Sequence, residues 1–122
     1  MKKIISVFSC VFLSSFSLLA QNDAKNWVDS VYKSLSKDER IAQLMVARLS
    51  SIDAKTKKVI FYDTKVAALV KQYNIGGICL FQGSPEKQAT ILNSLQAIAK
   101  TPILMCIDAE WGLGMRMTDS VF

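Results

Sequence analysis

The amino-acid sequence predicts an α/β domain built on a parallel sheet, and two observations support that fold class. Three short apolar segments, residues 44–47, 78–81 and 103–107, suit strands that are buried on both faces, as parallel sheets require. Between them lie longer segments whose apolar residues recur at helical spacing. The predicted order is therefore βαβαβ, and right-handed crossovers would place the ends of all three strands on one edge of the sheet.

Two helices are predicted before the first strand. The apolar residues of the first helix share one face: Trp27, Val28, Val31 and Leu35. The segment Ser36–Glu39 has the pattern of a capping box, so the second helix should begin there. The predicted buried face of this second helix consists of Ile41, Leu44 and Met45. The first strand is expected around Leu44–Ala47 and should end near Arg48.

The segment Ser50–Phe61 is polar and lysine-rich, and we predict that it is a solvated loop. Asp63 or Thr64 is expected to cap the helix that follows. The predicted buried stripe of that helix consists of Val66, Leu69, Val70 and Tyr73. Asn74–Gly77 should end the helix, because glycine adopts positive φ angles without a steric penalty.

The last helix is predicted to have Ser84 as its N-cap and Pro85 at its first helical position. Its predicted buried face consists of Ile91, Leu92, Leu95 and Ile98. Lys100–Pro102 should end this helix, and the third strand, Ile103–Ile107, should follow.

Residues 1–20 have the layout of a secretory signal peptide. Lys2 and Lys3 precede an apolar run, Ile4–Leu19, and the small residue Ala20 stands before a polar residue. Cleavage after Ala20 would leave residues 21–122 in the periplasm or secreted, without a membrane span. An uncleaved N-terminal anchor is the alternative.

Composition excludes several classes of function. The 122 residues include no histidine, so the chain holds no histidine-based metal site, catalytic triad or proton shuttle. Its three cysteines fit neither a disulfide framework nor a paired zinc motif. Cys79 and Cys106 are predicted to be small buried core residues, although their spacing alone would also permit a disulfide. The lysines are scattered and form no stripe, so we predict no nucleic-acid partner. We also predict no metal and no cofactor.

The segment after the third predicted strand carries the groups with the clearest chemistry. Asp108 and Glu110 are carboxylates that follow an apolar strand, and Arg116 adds a planar donor of fixed charge. Trp111 could form an apolar wall for a sugar ring, and nearby glycines permit tight bends. Polar residues also follow the other two strands: Arg48, Ser50 and Gln82. These residues together predict a ligand site at the carboxyl edge of the sheet.

The alternative interpretation of the same segment is structural. Asp108 would then satisfy only loop amides, Glu110 would pair with Arg116, and Trp111 would belong to the core.

Three segments together resemble the N-terminal domain of glycoside hydrolase family 3: Leu35–Leu44, Tyr73–Gly83 and Ile107–Arg116. The Asp-x-Glu-x-Gly run followed by arginine resembles the β-N-acetylhexosaminidase branch. The family fold is a (β/α)8 barrel of the TIM type, which requires about 250 residues. The resemblance therefore implies that residues 21–122 are a truncated N-terminal βαβαβ part of such a barrel. The sequence would then be a truncated gene product, a fragmentary gene model or an N-terminal fragment.

The resemblance also implies roles for individual residues. Asp108 would accept hydrogen bonds from hydroxyls of the sugar in the −1 subsite, Arg116 would contact the same sugar, and Glu110 would support the loop. Trp111 and Leu113 depart from the commoner glycine and arginine at their positions. The aspartate nucleophile and histidine acid/base of the family lie further along the chain than this sequence extends. We therefore expect no catalytic residue here and no activity of the fragment alone.

The expected function is thus that of an N-terminal fragment of an exported glycosidase. The complete enzyme would hydrolyse terminal β-linked N-acetylhexosamine residues with retention of configuration. Three alternatives stay open: a fragment of a family 3 β-glucosidase or β-xylosidase, an exported carbohydrate-binding module without activity, and an α/β fragment with no activity of its own.

Overall fold

The computed structural model describes residues 23–117. The chain forms two units, Met1–Ser36 and Lys37–Phe122. In the first unit the described residues form a helix, α1, over residues 23–34, as the apolar spacing predicts. The predicted signal peptide, residues 1–20, lies outside the described residues. Within the described range, no helix combines the length and the apolar character that crossing a membrane requires.

The second unit contains, in chain order, α2 Lys37–Ala42, β1 Val46–Arg48, β2 Ser50–Ile52, β3 Val59–Phe61, α3 Asp63–Tyr73, β4 Gly77–Leu80, α4 Pro85–Ile98, β5 Leu104–Ile107 and a short 3-10 helix Leu113–Met115. The strands β1, β4 and β5 form a parallel sheet in that order, so the predicted α/β class and parallel pairing are confirmed. The predicted strand bounds lie within two residues of the observed bounds.

The core lies on one face of the sheet only. The side chains of Leu49 and Ile78 are fully buried on this face. The buried residues of α3 and α4 complete this core: Val66, Val70, Ile91 and Leu95. The strand order β1-β4-β5 progresses in one direction, so right-handed crossovers place both helices on the same face. The prediction that the strands are buried on both faces is therefore wrong for the opposite face, where Val46 and Leu104 are exposed.

The predicted buried face of α2 is also wrong. The helix begins at Lys37, directly after Ser36, as the capping-box pattern predicts. It ends after six residues at Ala42, which is its buried residue, so Leu44 and Met45 lie beyond the helix. Ile41, Leu44 and Met45 are all exposed. Ile41 and Met45 line an open apolar groove of about 450 Å³, which is also lined by Leu69 and Tyr73 of α3.

The start and the stripe of α3 differ from the prediction. Tyr62 occupies the N-cap position without a side-chain hydrogen bond, so neither Asp63 nor Thr64 caps the helix. Of the four predicted stripe residues, Val66 and Val70 are buried, whereas Leu69 and Tyr73 are partly exposed in the groove. The open groove is the reason, because it leaves that side of the helix without a packing partner.

The end of α3 depends on a residue other than glycine. Asn74 is the C-cap and takes the left-handed conformation, with φ of 56°, and its backbone amide donates to the Val70 carbonyl. The side chain of Asn74 accepts hydrogen bonds from the amide and hydroxyl of Thr101, and Gln43 donates to both Asn74 and Thr101. Gly76 instead provides close approach, because a Cβ there would overlap the Gln43 carbonyl group.

Residues 50–61 form a hairpin, so the prediction of a solvated loop is wrong. Strands β2 and β3 pair antiparallel, with Ser50 opposite Phe61. The carboxylate of Asp53 stabilises the connection by accepting hydrogen bonds from the backbone amides of Lys55 and Thr56, at 3.0 and 2.6 Å. The sequence does not indicate this hairpin, because each strand has only three residues and the connection between them is rich in lysine.

The predicted start of α4 is confirmed. Ser84 is the N-cap and its hydroxyl accepts from the Lys87 amide, and Pro85 is the first helical residue. Ile91 and Leu95 are buried as predicted, Leu92 is half-buried, and Ile98 is exposed.

Candidate functional site

The polar residues that follow the strands lie at the carboxyl edge of the parallel sheet. Arg48 is the last residue of β1, Phe81 and Gln82 follow β4, and Asp108 follows β5. The Asp108 amide donates to the Leu80 carbonyl, which extends the pairing of β5 with β4 by one residue. The carboxylate of residue 108 therefore lies on the same edge as the ends of the other two strands, as the sequence predicts.

Arg116 is anchored on Asp108 by two contacts. Its Nη2 donates to Oδ2 of the Asp108 carboxylate at 2.9 Å, and its Nε donates to the main-chain carbonyl of the same residue. The Arg116 side chain is 16% exposed and that of Asp108 is 38% exposed. Among the described residues nothing donates to Oδ1 of Asp108, so this oxygen is available to a ligand hydroxyl. The sequence interpretation in which Glu110 pairs with Arg116 is wrong, because Asp108 occupies that position.

The ring of Phe81 lies beneath two guanidinium groups. The Cζ atom of Arg48 is 4.3 Å from the ring centroid, and that of Arg116 is 5.2 Å from it. Arginine stacks well on aromatic rings because its planar charge is weakly hydrated and the ring face is electronegative. Arg48 forms no ion pair with any described residue, so it leaves a positive charge beside the ion pair of Asp108 and Arg116.

The chain returns to the sheet after Asp108 through a tight turn. Gly112 has a φ of 94°, a backbone conformation that residues with a Cβ atom rarely adopt. Gly114 has no positive φ and therefore does not require glycine for this reason. The short 3-10 helix follows, and the Gly83 amide then donates to the Arg116 carbonyl at 3.1 Å. This contact ties the end of the loop to the segment after β4, which positions the Arg116 side chain over the sheet edge.

Trp111 and Glu110 lie outward on this loop. Trp111 is 86% exposed, so the interpretation that it belongs to the core is wrong. Glu110 is exposed as well and contacts neither Asp108 nor Arg116 through a hydrogen bond or an ion pair. The exposed ring of Trp111 offers an apolar surface with open access.

Two supporting residues were not singled out as such from the sequence. Ser50 is buried and its hydroxyl donates to the Gln82 carbonyl at 2.6 Å. Gln88 of α4 is 2% exposed and its Nε2 donates to the Phe81 carbonyl at 3.2 Å. Both hold the segment that carries Phe81. Gln88 stands among apolar residues on the buried face of α4, and a polar residue on an apolar helical stripe is the signal that identifies it.

The two described cysteines differ from their prediction as buried core residues. Cys79 is half-buried and Cys106 is exposed, and both are free thiols on the face of the sheet opposite the core. Burial raises the pKa of the Cys79 thiol, and a hydrogen bond with Cys106 raises it further. Within residues 23–117, no group of three or more cysteine, aspartate or glutamate side chains is arranged to hold a metal ion.

Comparison with known proteins adds no assignment. No protein-family model matches the chain, and no curated protein matches its sequence significantly.

Proposed function

We propose that this chain is the N-terminal part of an exported glycoside hydrolase with a (β/α)8 barrel. The complete enzyme would hydrolyse terminal β-linked N-acetylhexosamine residues with retention of configuration. The single observation that carries the proposal is the ion pair of Asp108 and Arg116 at the carboxyl edge of a parallel sheet. Ligands of α/β folds bind at that edge, because the loops there surround a rigid sheet end.

In this proposal Asp108 and Arg116 hold the sugar in the −1 subsite together. Oδ1 of Asp108 accepts a hydrogen bond from a sugar hydroxyl, while Oδ2 stays with Arg116. Arginine has five N–H donors, of which Arg116 uses two on Asp108, so others can reach a second sugar oxygen. A fixed charge next to an acceptor suits a polyol, which offers donors and acceptors on neighbouring carbon atoms.

The chemical step requires groups that this sequence does not contain. A retaining mechanism needs a nucleophile and an acid/base residue, and the resembled branch uses histidine for the second role. The chain has no histidine. We therefore predict that the purified chain does not release nitrophenol from a nitrophenyl N-acetylglucosaminide, and measurable turnover would contradict the assignment of the catalytic groups to a later part of the protein.

The coding DNA beyond the codon for Phe122 provides the direct test. A downstream sequence that encodes a Lys-His-x-x-Gly segment supports the proposal, and a downstream sequence that encodes no such segment in any frame contradicts it. In the product of a continuing frame, Asp108→Asn should lower kcat/KM by about 10- to 150-fold, because a hydrogen bond to a charged group contributes about 1.5–3 kcal/mol. Glu110→Gln is the matched control on the same loop and should retain most of the activity.

The exposure of Trp111 favours a second candidate, an exported carbohydrate-binding module. An indole ring that is open to solvent, on the loop between Asp108 and Arg116, can stack on a pyranose without any catalytic group. Isothermal titration calorimetry of the purified chain with N-acetylglucosamine tests this function. Saturable binding that Trp111→Ala removes supports the binding module, and the absence of any heat of binding contradicts it.

A further inference from the structure

Cys79 and Cys106 lie side by side on neighbouring parallel strands. They are direct register partners in the pairing of β4 with β5, so their side chains project from the same face of the sheet. The Sγ atom of Cys106 is 3.7 Å from the Ile78 carbonyl oxygen, an atom of the neighbouring strand, so this thiol leans toward Cys79. Neither cysteine takes part in a disulfide.

The pair is open to solvent. Cys106 is exposed and Cys79 is half-buried, on the face of the sheet that no described helix covers. Arg48 is the register partner of Cys79 on the other side, so Arg48, Cys79 and Cys106 form one row across three strands, and the Arg48 guanidinium lies over the Phe81 ring.

We propose that Cys79 and Cys106 form a two-coordinate binding site for a soft monovalent cation of the Cu⁺ type. Soft thiolate ligands select such ions over the hard cations that oxygen ligands prefer. Zinc in a structural site requires four ligands, and no third ligand is arranged around the pair within the described residues. A two-coordinate ion needs only the two sulfurs.

The strand geometry favours a bridging ion over a disulfide. Neighbouring strands lie about 4.7–4.9 Å apart, and register partners in a parallel pair project side by side without converging. A relaxed disulfide needs Cβ atoms about 3.5–4.5 Å apart, so this pair would have to strain the strands to close one. An ion between the two sulfurs adds two metal–sulfur bonds and spans the separation without moving the backbone.

Binding involves no change in oxidation state. Each thiol gives up its proton to solvent as its sulfur binds the ion, so one Cu⁺ replaces two protons and the complex gains one negative charge. The site uses neither Asp108 nor Arg116; in the proposed barrel this face of the sheet would line the interior, and the experiment is therefore made on the chain of residues 1–122 alone.

Competition with a coloured Cu⁺ chelator tests the proposal on the purified full chain. Cu⁺ is supplied as its bicinchoninate complex without oxygen, and loss of colour measures transfer to the protein. The wild type and Cys10→Ser should each withdraw one Cu⁺ per chain, whereas Cys79→Ser and Cys106→Ser should each lose this transfer. No transfer to the wild type, or equal transfer to all four proteins, would overturn the proposal. Loss of transfer in Cys10→Ser would overturn it as well.

A second measurement on the Cys10→Ser protein does not depend on the folding of the other variants. X-ray absorption at the copper edge should show two sulfur neighbours and no nitrogen or oxygen neighbour. Three sulfur neighbours, or any mixture with nitrogen or oxygen, would contradict the two-coordinate site. Mass spectrometry of the protein as isolated should find both thiols reduced, and a disulfide between Cys79 and Cys106 would also contradict it.

Discussion

Replacing Gly76 by alanine should destabilise the second unit more than its small size suggests. An added Cβ would overlap the Gln43 carbonyl oxygen and lie 2.6 Å from the carbonyl carbon. All of these contacts are backbone atoms, which cannot rotate away as a flexible side chain can. The chain from Asn74 to Gly77 must therefore move away from the end of α2.

The magnitude follows from the hydrogen bonds that this movement would break. Gly76 donates to the Ala42 carbonyl at 3.1 Å and accepts from the Leu104 amide at 2.8 Å, and the side chain of Gln43 donates to Asn74 across the same contact. Three hydrogen bonds at about 1 kcal/mol each amount to about 3 kcal/mol. Alanine restricts the unfolded chain and returns about 0.4–1 kcal/mol. The expected net loss is about 2 kcal/mol, or about 8–16 °C in Tm for a unit of this size.

Urea unfolding followed by far-ultraviolet circular dichroism measures this loss. Gly114→Ala is the matched control, because nothing lies within 4 Å of a Cβ at that position and its φ is not positive. The control should keep the wild-type midpoint, while Gly76→Ala should unfold at clearly lower urea. A difference between the two variants of less than about 0.5 kcal/mol would refute the steric reasoning.

Two further predictions concern the hairpin and the start of α4. Hydrogen bonds from the Thr56 amide and hydroxyl, followed by that from the Lys55 amide, lower the pKa of Asp53. The carboxylate therefore stabilises the turn above its unfolded pKa, and this contribution should disappear as the pH falls through the folded pKa. The protection of the hairpin amides, measured as the exchange rate relative to the intrinsic rate at each pH, should fall at low pH in the wild type but not in Asp53→Ala, and equal pH dependence would contradict this role. Ser84→Ala should lower stability by about 0.5–1 kcal/mol through loss of the cap, whereas Ser84→Asp should keep it; equal urea midpoints for these two variants would contradict the capping role.

Local sequence patterns predicted the elements whose signals lie within a few residues. The patterns at Ser36 and Ser84 predicted the starts of α2 and α4, because capping depends on a side chain and an amide three residues apart. The hairpin was not predicted, since its two strands have three residues each and the turn of Asp53 is hidden among lysines. Short strands carry little periodicity, so their pairing depends on contacts that the sequence does not display.

The candidate site was predicted in part. Asp108 and Arg116 were identified from their position after an apolar strand, and the structure brings them into one ion pair. The stacking of Arg48 and Arg116 on Phe81 was not predicted, because Phe81 stands at the end of an apolar run, a position that is typical of a core residue. Side chains alternate between the two faces of the sheet along β4, and this alternation places Phe81 on the face opposite the core. The sequence does not show this, because it does not show that only one face of the sheet is covered.

The sequence by itself determined the α/β class, the order of the three parallel strands and the helices around them, and the concentration of polar groups after those strands, because these follow from local periodicity and chain connectivity. Only the tertiary structure decided which face of the sheet is buried, that Asp108 rather than Glu110 binds Arg116, and that Cys79 and Cys106 are neighbours. Each of these outcomes depends on the register between strands that are distant in the chain. Register is set by packing of the whole sheet against α3 and α4, and no single segment contains that information.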